Sequence, residues 1–322
     1  MLLAAFAARA FDFRVELPTG QKLYFTIIAG TQTVKVVNPD WDSYTPPTGA
    51  MELPAIVENG GTTYSVTAVD DRAFQNCTGL TAITIPEGVT RIGRLAFMGC
   101  TALESISLPT TLTVLGSYAF TATAYFSNND NITAEGLLFI GPYLIASVPS
   151  LATGDITLPD GTLGLGNMAL YTCHSIVRVT VPSTVRFIGE QALNGCTVLD
   201  TLEMLSEVPP ALESNVFTDV EDFAVLVPCN SGNAYRNAAN WSALTIIEKH
   251  CDVGIANTES ELPTVTTTRN GITISSMGGH LFTVRDLMGR RIAESCGGFI
   301  ALPNHGVYII TTPGMRPIKV LF

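Results

Sequence analysis

Gly164-Leu-Gly-Asn-Met-Ala169 fits G-x-G-x-x-A, the glycine pattern that lets a backbone approach a dinucleotide pyrophosphate. That chemistry needs a strand before the motif and a long helix after it, with the helix N-terminus facing the phosphates. Here the same letters fall at the corner of a recurring unit, which argues against a cofactor. Cys173 and His174 adjoin, but chain neighbours rarely face each other as a nucleophile and its base must. His174, His250, His280 and His305 stand far apart, without the HExxH spacing of a zinc protease. There is no CxxC pair for structural zinc, no G-x-S-x-G elbow and no phosphate loop. Asp70-Asp71 and the run Asn128-Asn-Asp-Asn131 are the acidic or polar groups nearest to a cation site, yet neither matches a twelve-residue calcium loop. A glycosidase needs two convergent carboxylates, and nothing singles out such a pair. The reading is non-enzymatic, with no cofactor and no metal.

The element that would carry any surface function is a repeat. An Ala-Phe dyad returns as Ala73-Phe74, Ala96-Phe97, Ala119-Phe120, Ala169-Leu170, Ala192-Leu193 and Val216-Phe217, at spacings of 23, 23, 50, 23 and 24 residues. Before most dyads stands an apolar-x-x-apolar-Gly pattern, as in Val89…Ile92-Gly93, Leu112…Leu115-Gly116 and Val185…Ile188-Gly189. After them come a cysteine and a short strand that usually ends in proline: LTAITIP (80–86), LESISLP (103–109), DITLP (155–159) and SIVRVTVP (175–182). Strand alternation turns Ile83 and Ile85 inward and Ala82 and Thr84 outward. Proline cannot donate to a ladder and stops the pairing, while glycine permits the tight corner of a short coil. One coil cannot cover its own apolar side, but a stack does so continuously. The 50-residue gap contains NITAEGLLFIGPYLIASVPS, two apolar strands joined at Gly141-Pro142, which predicts a hairpin inserted near 128–150 with 128–131 as a polar turn.

The pattern V-x-x-I-G-x-x-A-F-x-x-C-x-x-L-x-x-I-x-I-P resembles the BspA-type leucine-rich repeats of bacterial surface proteins over roughly residues 52–250. The insert EGLLFIGPYLIASVP and the closing AVLVPCNSGNAYRNAANWSALTIIE (224–248) are similar to further features of those proteins. The resemblance implies a mainly β leucine-rich-repeat solenoid of about 23-residue coils with short strands and short helical turns. Tyr235 and Trp241 are placed on a terminal helix capping the last coil. Residues 11–51 alternate apolar and polar side chains and are expected to form an N-terminal β cap shielding the first coil. Residues 251–263 read as a linker. Residues 264–322 carry short strands between Gly-rich turns and are expected to form a small β-sandwich. Their segments TVRDLMGRRI, GVYII and PIKVLF resemble the sorting domain of the type IX secretion pathway, which implies export.

Residues 1–10, MLLAAFAARA, resemble the end of a signal peptide. No stretch is apolar for the roughly 18 residues that span a bilayer. Net charge is −11 with a pI near 4.8, which disfavours nucleic acid as a partner. Of seven cysteines, Cys77, Cys100, Cys173 and Cys196 hold equivalent repeat positions and read as buried packing thiols. Cys229 and Cys251 could pair in an oxidising compartment, leaving Cys296. The outward strand positions form two rows: Ala82, Ser105, Arg178 and Thr201, then Thr84, Ser107, Thr180 and Glu203. A flat sheet of small polar side chains suits an extended protein or glycan ligand held by many weak contacts. The expectation is a secreted or cell-surface protein that adheres to host or microbial macromolecules. The alternatives are a structural spacer without a specific ligand, or a glycan-acting enzyme.

Overall fold

A computed structural model describes residues 11–39, 44–249, 264–268, 271–275, 281–295, 298–303, 307–311 and 318–321. Residues 1–10, the linker 251–263, and His250, Cys251, His280, Cys296 and His305 lie outside the described residues. The chain divides into two units, Met1–Lys249 and His250–Phe322.

The first unit is a β-solenoid. Its longer strands stack in parallel as Gly49–Glu52, Leu80–Thr84 and Ser105–Ser107, then in a second sheet as Thr153–Thr157, Ser175–Val181, Thr201–Met204, Ala224–Val227 and Ile246–Glu248. Each coil adds a two-residue strand on its other side, so that Val114 pairs with Arg91 and Leu115 with Ile92, one repeat apart. Alternation does what the sequence predicts: Ile83 and Ile85 are buried and Thr84 is exposed. The dyad side chains fill the interior in files. The Phe74, Phe97 and Phe120 rings stack at 5.1 and 5.3 Å with interplanar angles of 7° and 4°. The four repeat cysteines are buried free thiols. Cys100 Sγ donates to Phe74 O at 3.0 Å and Cys196 Sγ to Leu170 O at 3.3 Å, tying each coil to the one before.

The corner glycines act differently from the expectation. Gly93, Gly116 and Gly189 do not have positive φ; instead the preceding coil lies so close that no Cβ fits. Left-handed backbone falls on other residues, two per dyad turn and four apart: Arg72 and Asn76, Leu95 and Gly99, Tyr118 and Ala122, Met168 and Thr172, Gln191 and Gly195. This geometry turns alternate N–H groups along the stack. Arg72, Phe74 and Asn76 donate to Arg94, Ala96 and Met98 O at 2.7–2.9 Å. The regularity of these bonds offsets the left-handed strain of about 1–2 kcal/mol per non-glycine residue.

At the N-terminal end, Phe13–Glu16, Lys22–Ile27 and Thr33–Val37 form antiparallel strands. Thr33–Val37 then pairs in parallel with Thr62–Val69, which leads into the first coil. Gly49–Glu52, read from sequence as mostly cap, is already a rung of the long-strand ladder against Leu80–Thr84. The insert comprises a short helix Ala124–Ser127, a 3-10 turn Asn129–Asn131 and a hairpin of Leu137–Ile140 with Tyr143–Ser147. Its second strand joins the stack by pairing in parallel with Gly164–Leu165. At the far end Tyr235 lies on the helix Gly232–Asn237, whereas Trp241 lies beyond it rather than on it. Both are fully buried, in T-shaped contact at 5.1 Å. Each also ties its polar atom to a carbonyl: Tyr235 Oη donates to Ser206 O and Trp241 Nε1 to Pro210 O, both at 2.8 Å. A wide ring pair with satisfied polar tips covers an apolar coil end that water would otherwise reach.

The second unit holds two antiparallel sheets. Thr264–Thr268, Gly271–Ser275 and Gly298–Ala301 form one; Arg291–Ser295, Phe282–Asp286, Val307–Thr311 and Ile318–Leu321 form the other. Ile272, Ile274, Phe282, Val284 and Ile310 meet in a single apolar core. This is the small sandwich that the alternation of its strands implies.

Candidate functional site

The residues with chemical potential are placed one by one among structural roles. No long helix follows Gly164-Leu-Gly-Asn-Met-Ala169; the segment is a two-residue strand and a dyad turn. Gly164 is required because the Phe187 ring lies on it: a Cβ would stand 2.7 Å from Phe187 Cδ1 and closer still to the ring edge. Gly166 packs its backbone against the Leu115 side chain. Cys173 Sγ sits 3.1 Å from Ser147 Oγ, and burial pushes its thiol above the ordinary range, opposite to what a nucleophile needs. His174 is exposed on the surface. Asp70 pairs with Lys35 at 2.6 Å, while Asp71 Oδ1 accepts from Arg94 N at 2.9 Å and pairs with Arg91. Asn128 Oδ1 accepts from Asp130 N and Asn131 Nδ2 donates to Tyr125 O, so these two side chains serve the local turn and the helix before it. Among the described residues no group of three His, Cys, Asp or Glu side chains has a metal-ligating arrangement. Cys229 is disulfide-bonded; Cys251 lies outside the described residues.

The strand-face rows exist, but each is cut in two. Ala82 pairs with Ser105 and Thr84 with Ser107 on the first sheet. Arg178 pairs with Thr201 and Thr180 with Glu203 on the second. The insert replaces the coil that would have joined them, so Ser105 and Arg178 belong to different sheets. The two halves also differ in character. Thr84, Ser105 and Ser107 are exposed, whereas Arg178, Thr180, Thr201 and Glu203 are half-buried. Glu203 is the centre of a small ionic cluster, 2.5 Å from Lys249 Nζ and 3.2 Å from Arg178 Nη1, with Thr180 Oγ1 at 3.3 Å. Sequence reasoning missed Lys249, which directly follows the last solenoid strand, Ile246–Glu248, and holds no recurring position. It also missed Tyr118 and Tyr171, two exposed tyrosines whose only sequence signal is an aromatic residue beside a dyad.

The cluster gives a pH dependence. Lys249 first, by hydrogen bond and charge, and Arg178 second hold the Glu203 carboxyl below its usual range against the opposing effect of burial. A depressed folded-state pKa stabilises the fold above the unfolded value of about 4.3, and the gain is lost as pH falls through the folded value. Melting temperature is therefore expected to fall on acidification below about pH 4.5, and Glu203→Gln is expected to flatten part of that fall. An identical acid limb in the variant would show that the cluster adds nothing.

The repeat units match one known description. The model of the BspA type leucine rich repeat region matches residues 61–153 and 140–230, together over half the chain, in six copies. The chain belongs to this family. A leucine-rich repeat protein of T. pallidum is similar at 21% identity, covering 66% of this chain and 81% of its own, with a TM-score of 0.33. A leucine-rich repeat protein from Bacteroides ovatus is similar at 17% identity, covering 74% and 76%, with a TM-score of 0.35. A leucine rich cell surface protein from Faecalibacterium prausnitzii is similar at 16% identity, covering 75% and 96%, with a TM-score of 0.26. A comparison with curated proteins finds no match. Membership of the BspA-type family fits a binding or scaffold role, and no helix among the described residues is long and apolar enough to cross a membrane.

Proposed function

We propose that this BspA-type protein is secreted or displayed on the cell surface and binds host or microbial proteins or glycans without catalysis. The observation that supports this most is the pair of parallel strand faces. Ala82, Thr84, Ser105 and Ser107 line one, and Arg178, Thr180, Thr201 and Glu203 the other, with backbone register fixed on each. Rigid, regularly spaced rows of short side chains spread a ligand's contacts over several coils, and no rotamer-rich side chain on the first face has to be immobilised. The second unit is proposed as the sorting module that carries the chain outward.

The test is an array of glycans and extracellular-matrix proteins probed with the full chain. Thr84→Arg with Ser107→Arg alters the first face, and Arg178→Ala with Glu203→Ala alters the second. Loss of the captured ligands in either pair is the expected result. Capture indifferent to both pairs favours a spacer, and turnover of an arrayed glycan would overturn the non-catalytic reading. Deleting residues 264–322 is expected to leave the protein inside the cell; unchanged export would reject the sorting role.

A further inference from the structure

Successive dyad turns are joined by three backbone bonds that recur along the stack. Leu95, Phe97 and Gly99 N–H donate to Ser117, Ala119 and Thr121 O; Met168, Leu170 and Thr172 N–H donate to Glu190, Ala192 and Asn194 O. The rung that would join Tyr118, Phe120 and Ala122 N–H to Asn167, Ala169 and Tyr171 O is missing among the described residues. The two turns touch at one end, where Asn167 N–H donates to Leu115 O at 2.8 Å, and part from there. The insert strand Tyr143–Ser147 stands between them. Leu144 O takes the Gly166 N–H at 2.9 Å, and Ser147 Oγ meets Cys173 Sγ where Cys100 and Cys196 meet the carbonyl of the preceding dyad. A cleft of about 240 Å³ results, with Tyr118, Phe120, Phe126, Asn167, Met168 and Tyr171 on its walls.

We propose that this cleft binds one neutral sugar ring of a glycan. Its volume lies below the roughly 300–1,000 Å³ of pockets for drug-sized ligands, so the occupant is a single small ring. Among the described residues no charged side chain lines it, although the chain carries a net charge of −11, so the occupant is uncharged. One lip offers the N–H groups of Tyr118 and Phe120 and the other the Asn167 carbonyl, left by the missing rung without backbone partners among the described residues. A hydroxyl both donates and accepts, so a sugar can answer both lips. An extended peptide presents N–H and C=O together along one edge and fits a donors-only lip poorly. Tyr118 and Tyr171, 50% and 37% exposed, supply flat apolar faces for the C–H side of a sugar ring. The cleft lies at the dyad turns, and the proposal goes beyond the strand-face reading without resting on it.

Titrating the full chain with glucose, galactose, mannose, fucose and N-acetylglucosamine, read by saturation-transfer NMR, tests the proposal. At least one is expected to bind with a dissociation constant on the order of 1 mM. Tyr118→Ala and Tyr171→Ala should each weaken it about tenfold, while Tyr118→Phe, which keeps the ring, should not. Both tyrosines are exposed enough for the alanine variants to fold, and far-UV circular dichroism checks this. Absence of binding up to about 100 mM, or equal affinity in the alanine variants, overturns the proposal. Capture of an uncharged peptide in place of any sugar overturns it as well. The Arg178→Ala, Glu203→Ala protein should bind sugar normally, so a failure here and a failure of the strand-face reading are separable.

Discussion

Phe97→Ala is expected to lower the unfolding free energy by about 3–5 kcal/mol, read as a shift of the urea midpoint. Phe97 is fully buried and lies between two parallel rings, Phe74 at 5.1 Å and Phe120 at 5.3 Å. Truncation leaves a ring-sized void with stacked partners on both sides, and neither can collapse into it while the backbone rungs hold the coils apart. Each lost ring pair adds about 0.5–1.5 kcal/mol to the area term. Phe97→Leu is the informative companion. Leu170 and Leu193 hold the same dyad position in the second stack and are fully buried there, so a leucine fills the site and should cost little beyond the two lost ring pairs, about 1–3 kcal/mol in all. A Phe97→Ala cost under about 1 kcal/mol, or a leucine variant as damaged as the alanine, would show that the file of rings is not what holds the first stack together.

The dyads and cysteines were legible because burial constrains them one residue at a time. Phe74, Phe97, Cys77 and Cys100 recur at a fixed spacing, and each interior position accepts few residue types, so spacing alone reveals the stack. The insert was legible for the same reason: Gly141-Pro142 between two apolar runs has one simple reading. The strand-face rows were legible only within a stack. Which coil neighbours which depends on where the hairpin enters, and nothing in Ser105 or Arg178 records that the strand Tyr143–Ser147 has intervened. The left-handed positions were invisible. Leu95, Tyr118, Met168 and Gln191 are not residues that favour positive φ, yet stacking imposes it on all four. Tertiary bonds here override local preference, and local preference is all that a single sequence displays. Glu203 has a place in the strand pattern, but its main partner Lys249 follows the last solenoid strand and holds no recurring position that a pattern could pick out.

Gly93→Ala is expected to cost at least about 2–4 kcal/mol, the sum of overpacking against backbone and weakened inter-coil hydrogen bonds. The usual account of a recurring corner glycine is a dihedral one, but Gly93 is not in the left-handed region. The obstacle is proximity. An added Cβ would lie 2.6 Å from the Asp70 carbonyl carbon and nearer still to Asp71 N and Oδ1. Backbone cannot rotate away as a side chain can, so the coils must separate. Separation stretches Gly93 N–H to Val69 O (2.8 Å), Arg94 N–H to Asp71 Oδ1 (2.9 Å) and Arg72 N–H to Arg94 O (2.9 Å) together. In a stack each coil is stabilised by its neighbours, so one widened gap weakens the interfaces on both sides. Gly161→Ala supplies the contrast. Gly161 has φ +87° with nothing within 4 Å of its would-be Cβ, so only the left-handed penalty of about 1–2 kcal/mol applies. Gly116→Ala, whose Cβ would meet Arg94 N at 2.5 Å, should behave like Gly93→Ala. If thermal and urea unfolding rank Gly161→Ala as the worst of the three, strain in the turns rather than close packing of coils sets the stability of the solenoid.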